Sequence, residues 1–168
     1  MQRKFLLSLL FCLVVEFVFS QGLTCYSIDE ALLHKDSVTT LILKKQKLQS
    51  FPLKILELNN LERLDISRNY IKEIPSKIQE LKHLHYVNAA QNQLTSLPKE
   101  ISQLPLDTLI LWDNMIRAFD TSFANLELKY LDIRAIQMTR KEQNAIKKLF
   151  PKARIRKDHP CNCGDRKN

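Results

Sequence analysis

Residues 61–83, LERLDISRNYIKEIPSKIQELKH, place apolar side chains in a pattern that neither a helix nor a strand produces alone. Leu64 and Ile66, two apart, suit a short strand with one buried side, because strand side chains alternate. Ile71, Ile74, Ile78 and Leu81, at steps of three and four, suit an irregular or helical return. Asn69 and Pro75 stand between the two parts. A unit this short cannot bury its own apolar edge, so copies are required on either side of it.

The copies are present. Leu84, Val87, Ala89, Asn92, Leu94, Leu97, Pro98, Ile101 and Leu104 repeat the pattern, and so do Leu106, Leu109, Leu111, Asn114, Ile116, Phe119, Phe123 and Leu126, with Asp120 in place of the proline. Upstream, Val38, Leu41, Leu43, Leu48, Phe51, Pro52, Ile55 and Leu58 form an earlier copy, and downstream Leu128, Leu131, Ile133 and Met138 begin another. The starts at Val38, Leu61, Leu84, Leu106 and Leu128 are 23, 23, 22 and 22 residues apart. This text resembles the leucine-rich repeat family, L-x-x-L-x-L-x-x-N-x-L-x-x-L-P, over residues 38–138. The proline habit is similar to the short repeats of small exported bacterial members.

The resemblance implies an α/β fold, a solenoid with a curved parallel sheet, about five repeats, and helical caps at the N- and C-termini. Asn69, Asn92 and Asn114 then occupy the family's asparagine ladder, satisfying turn backbone groups inside the stack, with Gln46 and Ile136 replacing it in the terminal copies. The prolines fix the backbone of the return segment, and Asp120 suits the N-cap of a short turn through Phe123.

Around this array the chain divides into a signal peptide at 1–20, an N-terminal cap at 21–37, the repeats at 38–138, a C-terminal cap helix and edge strand at 139–157, and a polar tail at 158–168. Arg3 and Lys4 precede an apolar run from Phe5 to Phe19, with Val18 and Ser20 small enough for a cleavage site before Gln21. The run is short for an uncleaved membrane anchor and contains Glu16, so export with cleavage is expected, to the periplasm, the cell surface or the medium. Cys25 lacks the leucine that a lipid-attachment motif prefers three residues before it.

The whole chain has 26 Lys+Arg against 18 Asp+Glu, a net charge of +8; losing Arg3, Lys4 and Glu16 leaves +7 on the mature protein. In the N-terminal cap, Ser27 and Glu30 have capping-box spacing for a helix through Ile28, Ala31 and Leu32. Thr139 and Glu142 have it too, before a stripe of Ala145, Ile146, Leu149 and Phe150, and Pro151 ends that helix ahead of an edge strand at Ala153–Ile155.

Alternation on the strands turns three columns of side chains outward. The first is Thr40, Arg63, Tyr86, Thr108 and Tyr130; the second is Ile42, Asp65, Asn88, Ile110 and Asp132; the third is Lys44, Ser67, Ala90, Trp112 and Arg134. Trp112, the sole tryptophan, with Tyr86, Ile110, Tyr130 and Arg134, groups the residue types that dominate interface energies. The expected binding face is therefore Arg63, Asp65, Tyr86, Asn88, Ile110, Trp112, Tyr130, Asp132 and Arg134, facing an unidentified protein partner. The alternative is a structural envelope or surface protein that touches anionic material weakly through Lys147, Lys148, Lys152, Arg154, Arg156 and Lys157.

Catalysis is not expected, since no nucleophile stands in a readable set with a base and an orienting group. The two glycines form no phosphate loop, and export argues against nucleic acid. No cofactor and no metal are expected: His159, Cys161 and Cys163 offer three ligands in a tail with no second cluster. His83 and His85 read as strand-edge residues without a carboxylate partner. Oligomeric state is not legible in the sequence.

Overall fold

A computed structural model of the protein describes residues 22–158. The expected leader and the tail from His159, with Cys161 and Cys163, lie outside the described residues.

The described residues form one parallel sheet in which seven strands lie in sequence order: β1 (Leu23–Cys25), β2 (Val38–Ile42), β3 (Arg63–Asp65), β4 (Tyr86–Asn88), β5 (Thr108–Ile110), β6 (Tyr130–Asp132) and β7 (Arg154–Arg156). The returns are 3-10 helices at Leu53–Glu57, Ser76–Glu80, Lys99–Gln103 and Thr121–Asn125. Two α-helices flank the array, α1 (Ile28–Leu33) and α2 (Arg140–Leu149). Strands pack about 4.8 Å apart, less than the width of helical turns with their side chains, so the stack curves toward the strand face.

The core lies between the sheet and the helical returns. Leu41, Leu64, Leu109 and Leu131 are wholly enclosed and Val87 nearly so, one central residue from each repeat strand. Pro52, Pro75 and Pro98 enter the first three returns with φ of −72°, −70° and −67°, values the proline ring itself imposes. Asp120 does the same work by a different route, its carboxylate accepting the Ser122 N–H at 2.8 Å.

The strands end where the chain turns left-handed. Lys45, Arg68, Gln91, Asp113 and Ala135 adopt φ between 52° and 62°, each one residue before the ladder position, and none is glycine. Asn92 then reaches into the stack: its Nδ2 donates to the carbonyls of Ile66 and Ala89 at 3.0 Å each, and its Oδ1 accepts the Ile71 N–H at 3.0 Å. Asn69 and Asn114 repeat this one coil away, donating to Leu43 and Ile66 and to Ala89 and Leu111. The carbonyls of Ile66 and Ala89 thus each take an amide from their own coil and from the next, which ties adjacent coils together. Gln46 bonds outward instead, to the carbonyl of Tyr26 at 2.8 Å.

Both ends carry the expected cap helices, and the last edge strand is present, but each end differs from the sequence reading in detail. The N-terminal segment was expected to be helical, yet β1 precedes the helix and pairs with β2, burying Cys25 completely. Gly22 permits that approach, because a Cβ there would lie 2.0 Å from Thr39 Oγ1. Ser27 caps α1 as its spacing implies, but the Glu30 carboxylate takes the N–H of Tyr26 and not that of Ser27. At the other end the Thr139–Glu142 capping box closes fully.

In α2, Ile146 and Phe150 are buried, but Ala145, expected in the apolar stripe, is exposed. Gln143 takes the inner position, its Oε1 accepting Lys157 Nζ at 2.8 Å and its amide donating to the carbonyl of Asp158. A polar residue is preferred there because it must reach backbone beyond β7, which apolar periodicity does not register. Phe119 sits edge-on between Phe123 and Phe150, 6.1 Å from each, and joins α2 to the last repeat. Among the described residues no helix is long and apolar enough to cross a membrane.

Candidate interaction surface

Parallel pairing aligns the outward side chains strand by strand. Thr40, Arg63, Tyr86, Thr108 and Tyr130 are in direct register, and so are Ile42, Asp65, Asn88, Ile110 and Asp132. The alignment continues one strand further: Arg154 pairs with Tyr130, and Arg156 with Asp132. The sequence reading puts an edge strand at Ala153–Ile155 within a basic cap, and pairing with β6 brings both of its arginines into the outward columns.

On this face Tyr86, Ile110, Trp112 and Tyr130 are all half-buried. The Arg63 guanidinium lies 3.9 Å from the centre of the Tyr86 ring, and that of Arg134 lies 5.8 Å from Trp112, both within cation–π range. Burial, assisted by Asp65 and Tyr130 and opposed by Arg63, pushes the Tyr86 phenol above its ordinary pKa, so the hydroxyl stays protonated at neutral pH.

The acids and amides of the second column are largely occupied. Asp65 Oδ1 accepts the Ser67 N–H at 2.8 Å, Asn88 Oδ1 that of Ala90 at 3.2 Å, and Asp132 Oδ1 that of Arg134 at 3.2 Å. Each bond closes the turn that ends its strand, the habit of Asp and Asn side chains two residues before a bend. Asn88 also donates to Asp65 Oδ2 at 3.0 Å.

Asp132 requires a correction as an expected contact residue, since it is 2% exposed and cannot meet a partner directly. Arg134 folds back over it, with Nη2 2.7 Å from Oδ2, and β7 closes its other side. Burial works to raise this carboxyl, but hydrogen bonds from the Arg134 side chain and backbone, with the charges of Arg134 and Arg156, outweigh it and hold the group below its usual range. In the third column Ser67 and Ala90 are also buried, so only Lys44, Trp112 and Arg134 present surface there.

His85 has a carboxylate partner that the sequence reading does not find: Nε2 lies 3.7 Å from Glu62 Oε2, because a 23-residue step puts these positions side by side just before neighbouring strands. Among the described residues no group of three or more His, Cys, Asp or Glu is placed to hold a metal.

Residues 36–94 match the family described as leucine rich repeat. A leucine-rich repeat protein of Leptospira interrogans superposes with a TM-score of 0.71 at 30% identity, over 80% of this chain and 34% of that one. Internalin C2 of Listeria monocytogenes gives 0.58 at 24% identity, over 71% of this chain and 52% of its own. The leucine-rich repeat ectodomain of a plant membrane receptor kinase from Arabidopsis thaliana, solved in complex with Casparian strip integrity factor 2, gives 0.55 at 18% identity, over 74% of this chain and 18% of its own. The last two show the fold alone. The chain spans about a third of the length of the Leptospira protein (34%). No curated protein matches it by sequence.

Proposed function

We propose that this chain, which belongs to the leucine-rich repeat family, is a recognition module that binds a macromolecular partner through its strand face and catalyses no reaction. Leucine-rich repeat folds commonly serve protein–protein interaction, and the curved, continuous sheet suits that use. The observation that carries the reading is the alignment of Tyr86, Trp112 and Tyr130 on neighbouring coils of one face, half-buried, with guanidinium groups over two of them. Aromatic and arginine side chains of this kind supply most of the energy at interfaces, about 2 kcal/mol or more for a central one.

The test is affinity capture on the purified protein beside a variant carrying Tyr86→Ala, Trp112→Ala and Tyr130→Ala. A partner retained by the first and lost by the second supports the reading. A partner retained equally by both removes the strand face from consideration.

Export belongs to the same proposal. The basic start, apolar run and small residues before Gln21 support a cleaved leader. Mass spectrometry of the mature N-terminus in the native host tests this, and a chain still beginning at Met1 would overturn it.

A further inference from the structure

We infer that the strand face takes an extended, acidic segment of a protein partner, with a carboxylate on Arg154 and Arg156 and an apolar or aromatic side chain against Trp112 and Ile110. This rests on the reading of the strand face as the recognition surface and names the chemistry of what it recognises. Arg154 and Arg156 lie two residues apart on β7, both exposed, both on the strand-face side of the sheet by their register with Tyr130 and Asp132. Neither makes an ion pair among the described residues. Asp132, in register with Arg156, is gripped by Arg134, and Asp158, two residues beyond Arg156, accepts the backbone N–H of Ala135.

Two unpaired guanidinium groups beside an aromatic surface match a carboxylate in charge and in forked geometry. The face beside them favours a peptide over a polyanion, because Trp112, Ile110 and Tyr130 offer apolar area where a phosphate backbone or lipid headgroups would supply only charge.

Spacing turns this into a sequence requirement. From β7 to β5 is two strand spacings, about 10 Å, and an extended peptide advances about 3.3 Å per residue. The acidic residue of the ligand is therefore about three positions from its apolar or aromatic residue.

Random short peptides displayed on phage, selected on the purified protein and then measured by fluorescence anisotropy, test the inference. The selected peptides are expected to be enriched in Asp or Glu about three residues from an aromatic or aliphatic one. Binding should weaken by about ten-fold in Arg154→Gln/Arg156→Gln, with the native circular dichroism spectrum retained, and should weaken with added salt. Peptides that depend on Trp112 but show no acidic enrichment would overturn this inference while leaving strand-face recognition standing. If no selected peptide responds to Trp112→Ala or Tyr86→Ala, recognition by this face fails and the inference falls with it. Duplex DNA or anionic vesicles binding as tightly as the peptides, through the same two arginines, would also overturn it.

Discussion

Arg134 and Asp132, two residues apart at the end of β6, hold each other in a fork, with Nη2 2.7 Å from Oδ2 and Nε 2.9 Å from Oδ1. The backbone N–H of Arg134 donates to the same carboxylate at 3.2 Å. A nearly enclosed charge is tolerated only when paired and hydrogen-bonded in this way. The pair also fixes the guanidinium near Trp112, so strand termination and the shape of the strand face depend on one side chain.

Stability should fall in acid, and Asp132 should carry part of that fall. In the folded chain Asp132, Asp107 and Glu142 titrate below their ordinary values, Asp107 through bonds from Thr108 and Lys129 that overcome its burial, and Glu142 through bonds with Thr139. The unfolded chain takes up these protons near pH 4, before the folded one does. The stabilisation is complete above that pH and is lost as pH falls through the folded values. Urea unfolding between pH 7 and pH 2.5 checks this, and Asp132→Asn should show a shallower loss. At neutral pH Asp132→Ala should cost about 2 kcal/mol, and Asp132→Asn less, because an amide oxygen still accepts the turn N–H.

Asn92 should be intolerant in a specific order. Asn92→Ala leaves the Ile71 N–H buried without its acceptor, a cost of about 2 kcal/mol, whereas the carbonyls of Ile66 and Ala89 keep the amides of Asn69 and Asn114. Asn92→Asp should be worse, since it puts a carboxylate oxygen in place of the Nδ2 that faces both carbonyls. Thermal melting of the two variants at neutral pH ranks them, and the reverse order would contradict the ladder geometry.

Ala135 has φ of 52°, and a side chain in that region costs about 1–2 kcal/mol. Ala135→Gly removes the strain but gives the unfolded chain more freedom, a net gain of about 0.5–1 kcal/mol. Ala135→Val should be destabilising, because β-branched residues fit this region poorly. Denaturant midpoints for the two variants should lie on opposite sides of the parent.

Cys25 is fully enclosed, and burial, then the charge of Glu30, raises its thiol pKa. In a leaderless chain carrying Cys161→Ser and Cys163→Ser, Ellman's reagent should leave the folded protein unreacted at pH 8 and label it once denaturant is added. Rapid labelling of the native chain would mean that β1 does not stay docked on β2.

The coil number, the strand register and the columns of outward side chains are legible in the text because each is written several times. A position such as Leu64 is read together with Leu41, Val87, Leu109 and Leu131, and nearest-neighbour stacking converts that repetition directly into contacts. The exposed state of a column is less legible. Asp132 occupies the same register position as half-exposed Asp65, yet only Asp132 has an arginine two residues on that folds back over it.

The repeated apolar text by itself determined that this chain stacks as a solenoid and which side chains line its strand face. Tertiary structure alone decided the details of the two ends: a strand ahead of the N-terminal helix, Gln143 inside and Ala145 outside, and the register that puts Arg154 and Arg156 of the last strand in the outward columns. The ends have no second copy to average against, and their residues are placed by single long-range pairings that no local period encodes.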